Sequence, residues 1–208
     1  MKKILILFMG VAMMGMMSCN SCGHKKAVFN GYDANTVMAA DKAVAVSMYG
    51  DSVRHYECQV NYSNTFDSVD GDNMIVKVMN VFQYSDTSLM IYHFADTSEI
   101  GKLVEYANSI ESYHTYTIDT NKTDYTFTLI VNDIWLEDQN MGIDSINFTL
   151  ADAYDIYMNS DYVKPHSNFV VIRQPLFPPF PTAPYYIFGN MYEYTAIDSK
   201  TGEFVENF

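Results

Sequence analysis

The sequence predicts an α+β fold in which antiparallel sheets carry about three helices packed on one face. Three capped helix patterns alternate with stretches of period-two apolar patterning, and that patterning indicates half-buried antiparallel strands. The 208 residues include 49% apolar and 15% aromatic residues, enough to form a folded core. A closed all-β barrel is the alternative, and the apolar stripe of the second helix argues against it.

The first helix is predicted over residues 36–49. Asp33 or Asn35 can cap its N terminus, and Gly50 can adopt the backbone conformation that ends a helix. Apolar residues recur three or four positions apart and form the stripe that we expect to face the core. That stripe consists of Val37, Ala40, Val44 and Met48.

Two further helices follow from the same kind of pattern. An apolar stripe from Ile100 to Ile110 predicts a helix over residues 98–112, and Thr149 with Asp152 forms a capping box that opens a short third helix. Alternating apolar residues predict the strands around these helices. The predicted strands cover residues 53–62, 74–84, 89–95, 113–118, 125–131, 169–172, 185–188, 192–197 and 204–205.

The N terminus has the features of an export signal. Two lysines precede an apolar run over residues 4–17, whose length of about 21 Å as a helix is less than the ~30 Å hydrocarbon core of a bilayer. The run ends at Ser18 and Cys19, and this junction resembles the lipobox of bacterial lipoproteins. The resemblance implies lipidation of Cys19, with palmitate among the acyl chains that hold the protein in the membrane. Cys22 is the competing acceptor.

Residues 1–18 are therefore interpreted as a lipoprotein signal peptide and residues 19–30 as a flexible tether without apolar periodicity. The chain after residue 18 keeps 10 basic against 25 acidic residues, a net charge of −15. This charge opposes binding to nucleic-acid phosphates, so we predict no nucleic-acid partner. Asn20 rather than Asp follows the cysteine, which favours the outer membrane, on its periplasmic or surface face.

Two helix starts resemble each other and lead to a family resemblance. Residues 40–44 and 151–154 each open a helix that leads into strands, and the segments 184–188 and 197–205 follow as a strand and a hairpin. This arrangement resembles PepSY modules, the small helix-and-sheet units of peptidase propeptides and bacterial envelope proteins. The resemblance implies two related halves, of which the second matches better. These halves are residues 31–112 and 113–208.

The polar residues do not identify an enzyme. The sequence contains no G-x-S-x-G, H-E-x-x-H, P-loop or dinucleotide-binding motif, so we predict no catalytic residues, no cofactor and no metal. Residues 67–73 form an acidic loop that is interpreted as a solvated turn, with calcium binding left open. Cys58 alternates with core positions and is interpreted as a buried thiol. Three histidines lie in predicted strands, and none of them has a second His or Cys at metal-binding spacing. They are His55, His93 and His114.

The proline-rich segment 174–186 predicts a protein contact. It holds five of the six prolines together with several large rings, and a rigid apolar loop of this kind often binds a partner. The alternative is that the loop covers its own core. The predicted partner-binding residues are Phe177, Phe180, Tyr185 and Tyr186.

Together with the PepSY resemblance, which implies contact with peptidases or other envelope proteins, these features predict a function. The chain should be a non-catalytic, lipid-anchored envelope protein that acts as a protein-binding or peptidase-inhibitory module. A structural component of an envelope complex and a glycan-binding lipoprotein are the alternatives.

Overall fold

One large antiparallel sheet dominates the fold, and the predicted α+β class is confirmed. The computed structural model describes residues 28–29, 32–68, 73–119, 125–133, 140–175, 181–190 and 192–205. The helices in these ranges are α1 (Ala34–Tyr49), α2 (Ile100–Ser109) and α3 (Leu150–Met158). The strands are β1 (Val28–Phe29), β2 (Tyr32–Asp33), β3 (Arg54–Tyr62), β4 (Ile75–Tyr84), β5 (Thr87–Phe94), β6 (His114–Asp119), β7 (Tyr125–Val131), β8 (Phe169–Arg173), β9 (Tyr185–Gly189), β10 (Tyr194–Asp198) and β11 (Phe204–Val205).

The main sheet has nine strands in the order β11-β10-β9-β8-β3-β4-β5-β7-β6, and each neighbouring pair is antiparallel. β1 and β2 form a separate hairpin in front of α1. From the central strand β3 the chain first builds β4 to β7 on one side, and after α3 it adds β8 to β11 on the other. The predicted ranges 31–112 and 113–208 therefore share one sheet, because β7 of the second range pairs with β5 of the first.

Helices cover both faces of this sheet, so the predicted single helical layer is wrong. Successive strand residues point to opposite faces, and the residues of β4 show which helix covers each face. Val78 and Phe82 pack in the clusters that include α1, whereas Met79 and Val81 pack in the cluster that includes α2. α3 packs on the same face as α1. The physical reason is that β4 is apolar on both faces, and both faces therefore require cover.

The position of α1 is predicted correctly, but its orientation is not. Asp33 caps the helix by accepting a hydrogen bond from the Asn35 amide at 2.8 Å. Val44 and Met48, which the predicted stripe places in the core, are 48% and 47% exposed. The residues that α1 buries are Ala34, Val37, Met38, Asp41 and Ala45. The helix is thus turned so that a charged residue faces the sheet.

The short helix α3 begins as predicted, at a capping box. The amide of Asp152 donates to the Thr149 hydroxyl at 3.2 Å, and the Thr149 amide donates to the Asp152 carboxylate at 2.8 Å. The apolar side of α3 packs into an aromatic core between the helix and strands β3 and β9. The fully buried rings of this core are Tyr62, Phe66, Tyr154, Tyr157 and Phe188. This core fixes the half of the sheet that contains β8 to β10.

Candidate functional site

The sequence-predicted site residues do not form one surface in the described structure. Cys19, Phe177 and Phe180 lie outside the described residues. Tyr185 is half-buried at the start of β9. The contact through Phe177 and Phe180 therefore stays a prediction, and of the four predicted residues Tyr185 is the one with a partly accessible ring among the described residues.

Tyr186 is a correction to the predicted surface, because its side chain is fully buried. Its hydroxyl donates to the Phe148 carbonyl at 2.8 Å and accepts a hydrogen bond from Asn35 Nδ2 at 3.0 Å. The reason is the alternation of β9, in which neighbouring side chains point to opposite faces and Tyr186 points into the core below α1 and α3. Tyr186 therefore joins secondary structure elements inside the core and offers no exposed surface.

The acidic loop is described only in part. Asp67 is exposed, with its carboxylate 3.1 Å from His166 Nδ1, and residues 69–72 lie outside the described residues. Hydrogen bonds from Thr65 and His166 lower the pKa of Asp67. Across the described ranges, no three His, Cys, Asp or Glu side chains are grouped closely enough to hold a metal ion.

A candidate binding surface lies at the β6 edge of the sheet. β6 pairs with β7 in one unbroken register, and no described strand pairs with its outer side. Proteins usually protect such an edge with lysine, proline or a bulge, since an edge strand presents its backbone N–H and C=O groups to any further strand. β6 has the sequence His-Thr-Tyr-Thr-Ile-Asp and contains neither Lys nor Pro. Its outer side is therefore open to strand addition.

The side chains of β6 add an apolar surface to this edge. Tyr116 and Ile118 lie on the face that α2 covers and are 37% and 42% exposed, and Tyr113, just before the strand, is 73% exposed. The Tyr116 ring stacks on Phe127, with 5.4 Å between the ring centroids and 18° between the planes. This stacking holds the tyrosine ring in place. We call Tyr113, Tyr116, Ile118 and the outer side of residues 114–118 the open edge.

The surroundings of the open edge are acidic. The sequence from residue 85 to residue 133, which forms β5, α2, β6 and β7, contains eight Asp and Glu and only two Lys. One of these lysines, Lys102, is bound to Glu99 at 2.7 Å. A partner that approaches this edge therefore meets a negative field, which favours lysine and arginine side chains.

A second polar cluster lies in the core under α1. Asn80 Nδ2 donates to Asp41 Oδ2 at 2.7 Å, and His93 Nε2 lies 3.0 and 2.9 Å from the two carboxylate oxygens. Asn80 Oδ1 is 3.0 Å from His55 Nε2. Burial lowers the pKa of His55 to about 3, so this ring is neutral and donates its Nε2–H to Asn80. We call these four residues the Asp41 network. It joins α1 to strands β3, β4 and β5.

A buried thiol lies beside the Asp41 network. Cys58 pairs with Asn80 across β3 and β4. Its thiol is fully buried, and burial together with the nearby Asp41 charge raises its pKa well above the usual value. A thiol in that environment stays protonated and unreactive. Its predicted role as a core residue is therefore confirmed.

Sequence reasoning missed both features for identifiable reasons. Asp41 interrupts the buried side of α1, with Met38 and Ala45 one turn to either side, and a charged residue in that position is a signal for a buried polar partner. Nothing in the sequence tells which strand of nine lies at the edge. The alternation of threonine with Tyr116 and Ile118 is, however, a weak signal for a strand with little burial.

Comparison of the chain with protein-family models, curated proteins and solved structures gave no match. The described residues form an α+β fold whose nine-stranded antiparallel sheet has helices on both faces, and no described strand pairs with the outer side of β6. In the described ranges, no helix combines the length and apolar character needed to cross a bilayer.

Proposed function

We propose that this chain is a lipid-anchored, non-catalytic protein-binding module of the bacterial cell envelope, which binds an extended segment of its partner beside β6. The observation that carries the proposal is the open edge, a regular strand without protecting residues next to exposed rings. A partner strand gains backbone hydrogen bonds there, and its alternate side chains contact Tyr116 and Ile118. The anchor is supported by the sequence around Cys19, with an outer-membrane location on the periplasmic or surface face.

The resemblance to PepSY modules belongs to this proposal. It suggests two related halves, residues 31–112 and 113–208, and a peptidase as one kind of partner, which the module would inhibit by binding. The proline-rich segment with Phe177 and Phe180 would be a second contact. An assembly role in an envelope complex would use the same open edge, since strand addition serves either purpose.

Strand addition can be tested with a short peptide in which valine and lysine alternate. Its lysines match the acidic surroundings of β6, and its backbone can pair with the strand. We expect it to protect the amides of residues 114–118 from hydrogen exchange, with protection falling as salt is added. The matched control is the same peptide with alternate backbone nitrogens methylated. Equal protection by both peptides would show that binding is not strand addition.

The anchor requires a separate experiment. Cys19→Ala should abolish the incorporation of labelled palmitate and release the protein from the membrane fraction, whereas Cys22→Ser should change neither. The reason is that only the residue at the lipobox position carries the acyl chains. Labelling that persists in Cys19→Ala and disappears in Cys22→Ser would assign the anchor to Cys22.

A further inference from the structure

The outward side of α1 carries no charge. The helix contains only two charged residues, and both are occupied: Asp41 is buried in its network, and Lys42 forms an ion pair with Asp144 at 2.7 Å. Val44 and Met48 are the large side chains of this outward side and are about half exposed. The exposed residues of α1 are Thr36, Ala39, Ala40, Ala43, Val44, Ser47 and Met48.

This uncharged side is exceptional for the protein. Acidic residues outnumber basic ones by 25 to 12 in the full chain, and the other two helices expose charges, as Glu105 on α2 and Asp152 on α3 show. A helix that faces water normally carries charged or strongly polar residues on its outer side. Among the described helices, α1 therefore has the outward side that is best suited to face a surface that repels negative charge.

The place where the N-terminal segment joins the fold identifies that surface. Val28 pairs with Asp33 in the first hairpin, and Asp33 caps α1, so the segment from Cys19 enters the fold directly beside the start of this helix. Eight residues lie between Cys19 and Val28, and the nine steps from one to the other can span at most about 32 Å. Since the acyl chains of Cys19 stay in the bilayer, the N terminus of α1 is held near the membrane.

The charge of the protein favours one orientation of the fold on the membrane. Anionic lipid headgroups repel an acidic protein, and the repulsion is least where the outward side of α1 faces them. The segment before the hairpin also contains Lys25 and Lys26, which attract such headgroups. We infer that the outward side of α1 lies against the membrane that holds the Cys19 lipid, an inference that rests on the anchor in the proposed function.

The contact is predicted to depend on the anchor. Alanine and serine bury little apolar area, and two larger residues, Val44 and Met48, are too few for stable binding by an unanchored protein. The tether raises the effective concentration of α1 at the bilayer surface and so makes a weak contact sufficient. With α1 against the bilayer, α2 on the other face of the sheet points away from it.

The test uses the lipidated chain in vesicles of phosphatidylethanolamine and phosphatidylglycerol, with Cys22→Ser and one new cysteine for a fluorophore. Val44→Cys reports on α1, and Tyr106→Cys on α2 is the matched control, because the two positions are 48% and 46% exposed. Lipids with nitroxide headgroups quench a label that touches the bilayer surface. We expect severalfold stronger quenching at position 44 than at position 106.

Three outcomes separate the inference from the anchor on which it rests. Failure of the lipidated protein to float with vesicles would overturn the anchor and the inference with it. Flotation with equal quenching at both positions would overturn only the orientation. In the third outcome the protein floats, the label at position 44 is not quenched, and energy transfer occurs between labels at position 44 of different molecules. This outcome would show that the outward side of α1 binds a second copy of the chain. An added Met48→Glu should abolish the excess quenching, whereas Asn108→Asp, which adds the same charge to exposed α2 on the other face of the sheet, should not.

Discussion

The two edges of the main sheet are built in opposite ways. The β11 edge is a strand of two residues, which follows β10 through a tight turn and whose Phe204 ring packs 4.5 Å from Tyr162. The β6 edge is a regular strand of six residues with exposed rings and no described neighbour on its outer side. A very short edge strand offers little backbone to a further strand, whereas a long regular one offers much.

The difference continues inward from each edge. In β9, two strands from the β11 edge, four of five residues are buried, whereas in β6 no residue is fully buried. Side chains near the β11 edge thus contribute to stability, and side chains at the β6 edge are available for binding. This separation predicts that substitutions at the two edges differ in their effects on the free energy of unfolding and on the binding of a partner.

The largest effect is expected from Phe188→Ala in β9. The ring is fully buried, stacks on Tyr157 with 4.4 Å between centroids and meets Phe66 at 5.7 Å. The cavity should lower the free energy of unfolding by about 3–5 kcal/mol, measured by urea denaturation. Tyr116→Ala at the open edge is the control and should cost about 1 kcal/mol or less, the value of its stacking on Phe127. Similar costs for both would erase the contrast between the edges.

The next effect concerns the centre of the sheet, between the edges. The pKa of His55 is lowered to about 3 in the folded protein against 6.5 for an ordinary histidine, because the ring is buried. Below pH 6.5 the unfolded chain binds a proton that the folded protein does not, so stability falls as the pH drops toward 3. The loss due to His55 should reach about 2 kcal/mol at pH 5.

This pH dependence can be assigned with His55→Gln, which can still donate to Asn80 but cannot titrate. Urea denaturation at pH 7 and pH 5 should show a smaller difference for the variant than for the natural protein. An unchanged difference would assign the acid sensitivity to other groups.

A smaller effect is expected at the β11 edge itself, from Gly202→Ala. Gly202 has φ +74° in the turn between β10 and β11, and an added Cβ would lie 2.9 Å from the Phe148 ring. Both features oppose a side chain, so the change should lower the free energy of unfolding by about 1.5 kcal/mol, measured by thermal unfolding. Gly101→Ala is the matched control, since Gly101 lies in α2 with open space around it and should gain about 1 kcal/mol from helix propensity.

The smallest effect on stability is expected from Thr117→Lys at the open edge. Thr117 is exposed, so the free energy of unfolding should change by about 0.5 kcal/mol or less. The lysine should nevertheless weaken binding of the valine–lysine peptide, because it repels the peptide and protects the edge. Titration of the peptide measures this. Unchanged binding alongside unchanged stability would exclude the open edge as the contact.

Most elements of this fold are predictable from local patterns, because each depends on neighbouring residues. The first helix is predicted over residues 36–49 and observed over Ala34–Tyr49, and the Thr149–Asp152 capping box is confirmed. The orientation of α1 is not predictable in the same way, since it depends on Asp41 meeting Asn80 from a distant strand. A prediction from an apolar stripe uses hydrophobicity alone. It therefore leaves out a buried hydrogen bond between a charged helix residue and a residue of a distant strand.

The candidate site was less predictable than the fold. Tyr185 and Tyr186 are adjacent in a strand and must point to opposite faces, so both could not belong to one surface. That argument needs only the sequence. The position of β6 at an edge, by contrast, depends on the order in which nine strands assemble, and strands of similar composition compete for each place.

The central place of β3 has a consequence for how the chain acquires its structure. Its pairing with β4 joins neighbours in sequence, but its pairing with β8 joins residues more than a hundred positions apart, such as Asn61 and Phe169. Synthesis proceeds from the N terminus, so β3, β4 and β5 can associate while β8 has not yet been made. During that interval β3 is itself a temporary edge, whose unpaired backbone N–H and C=O groups can pair with a wrong strand. The slow step of folding should therefore be the arrival of β8, and aggregation should compete with that step.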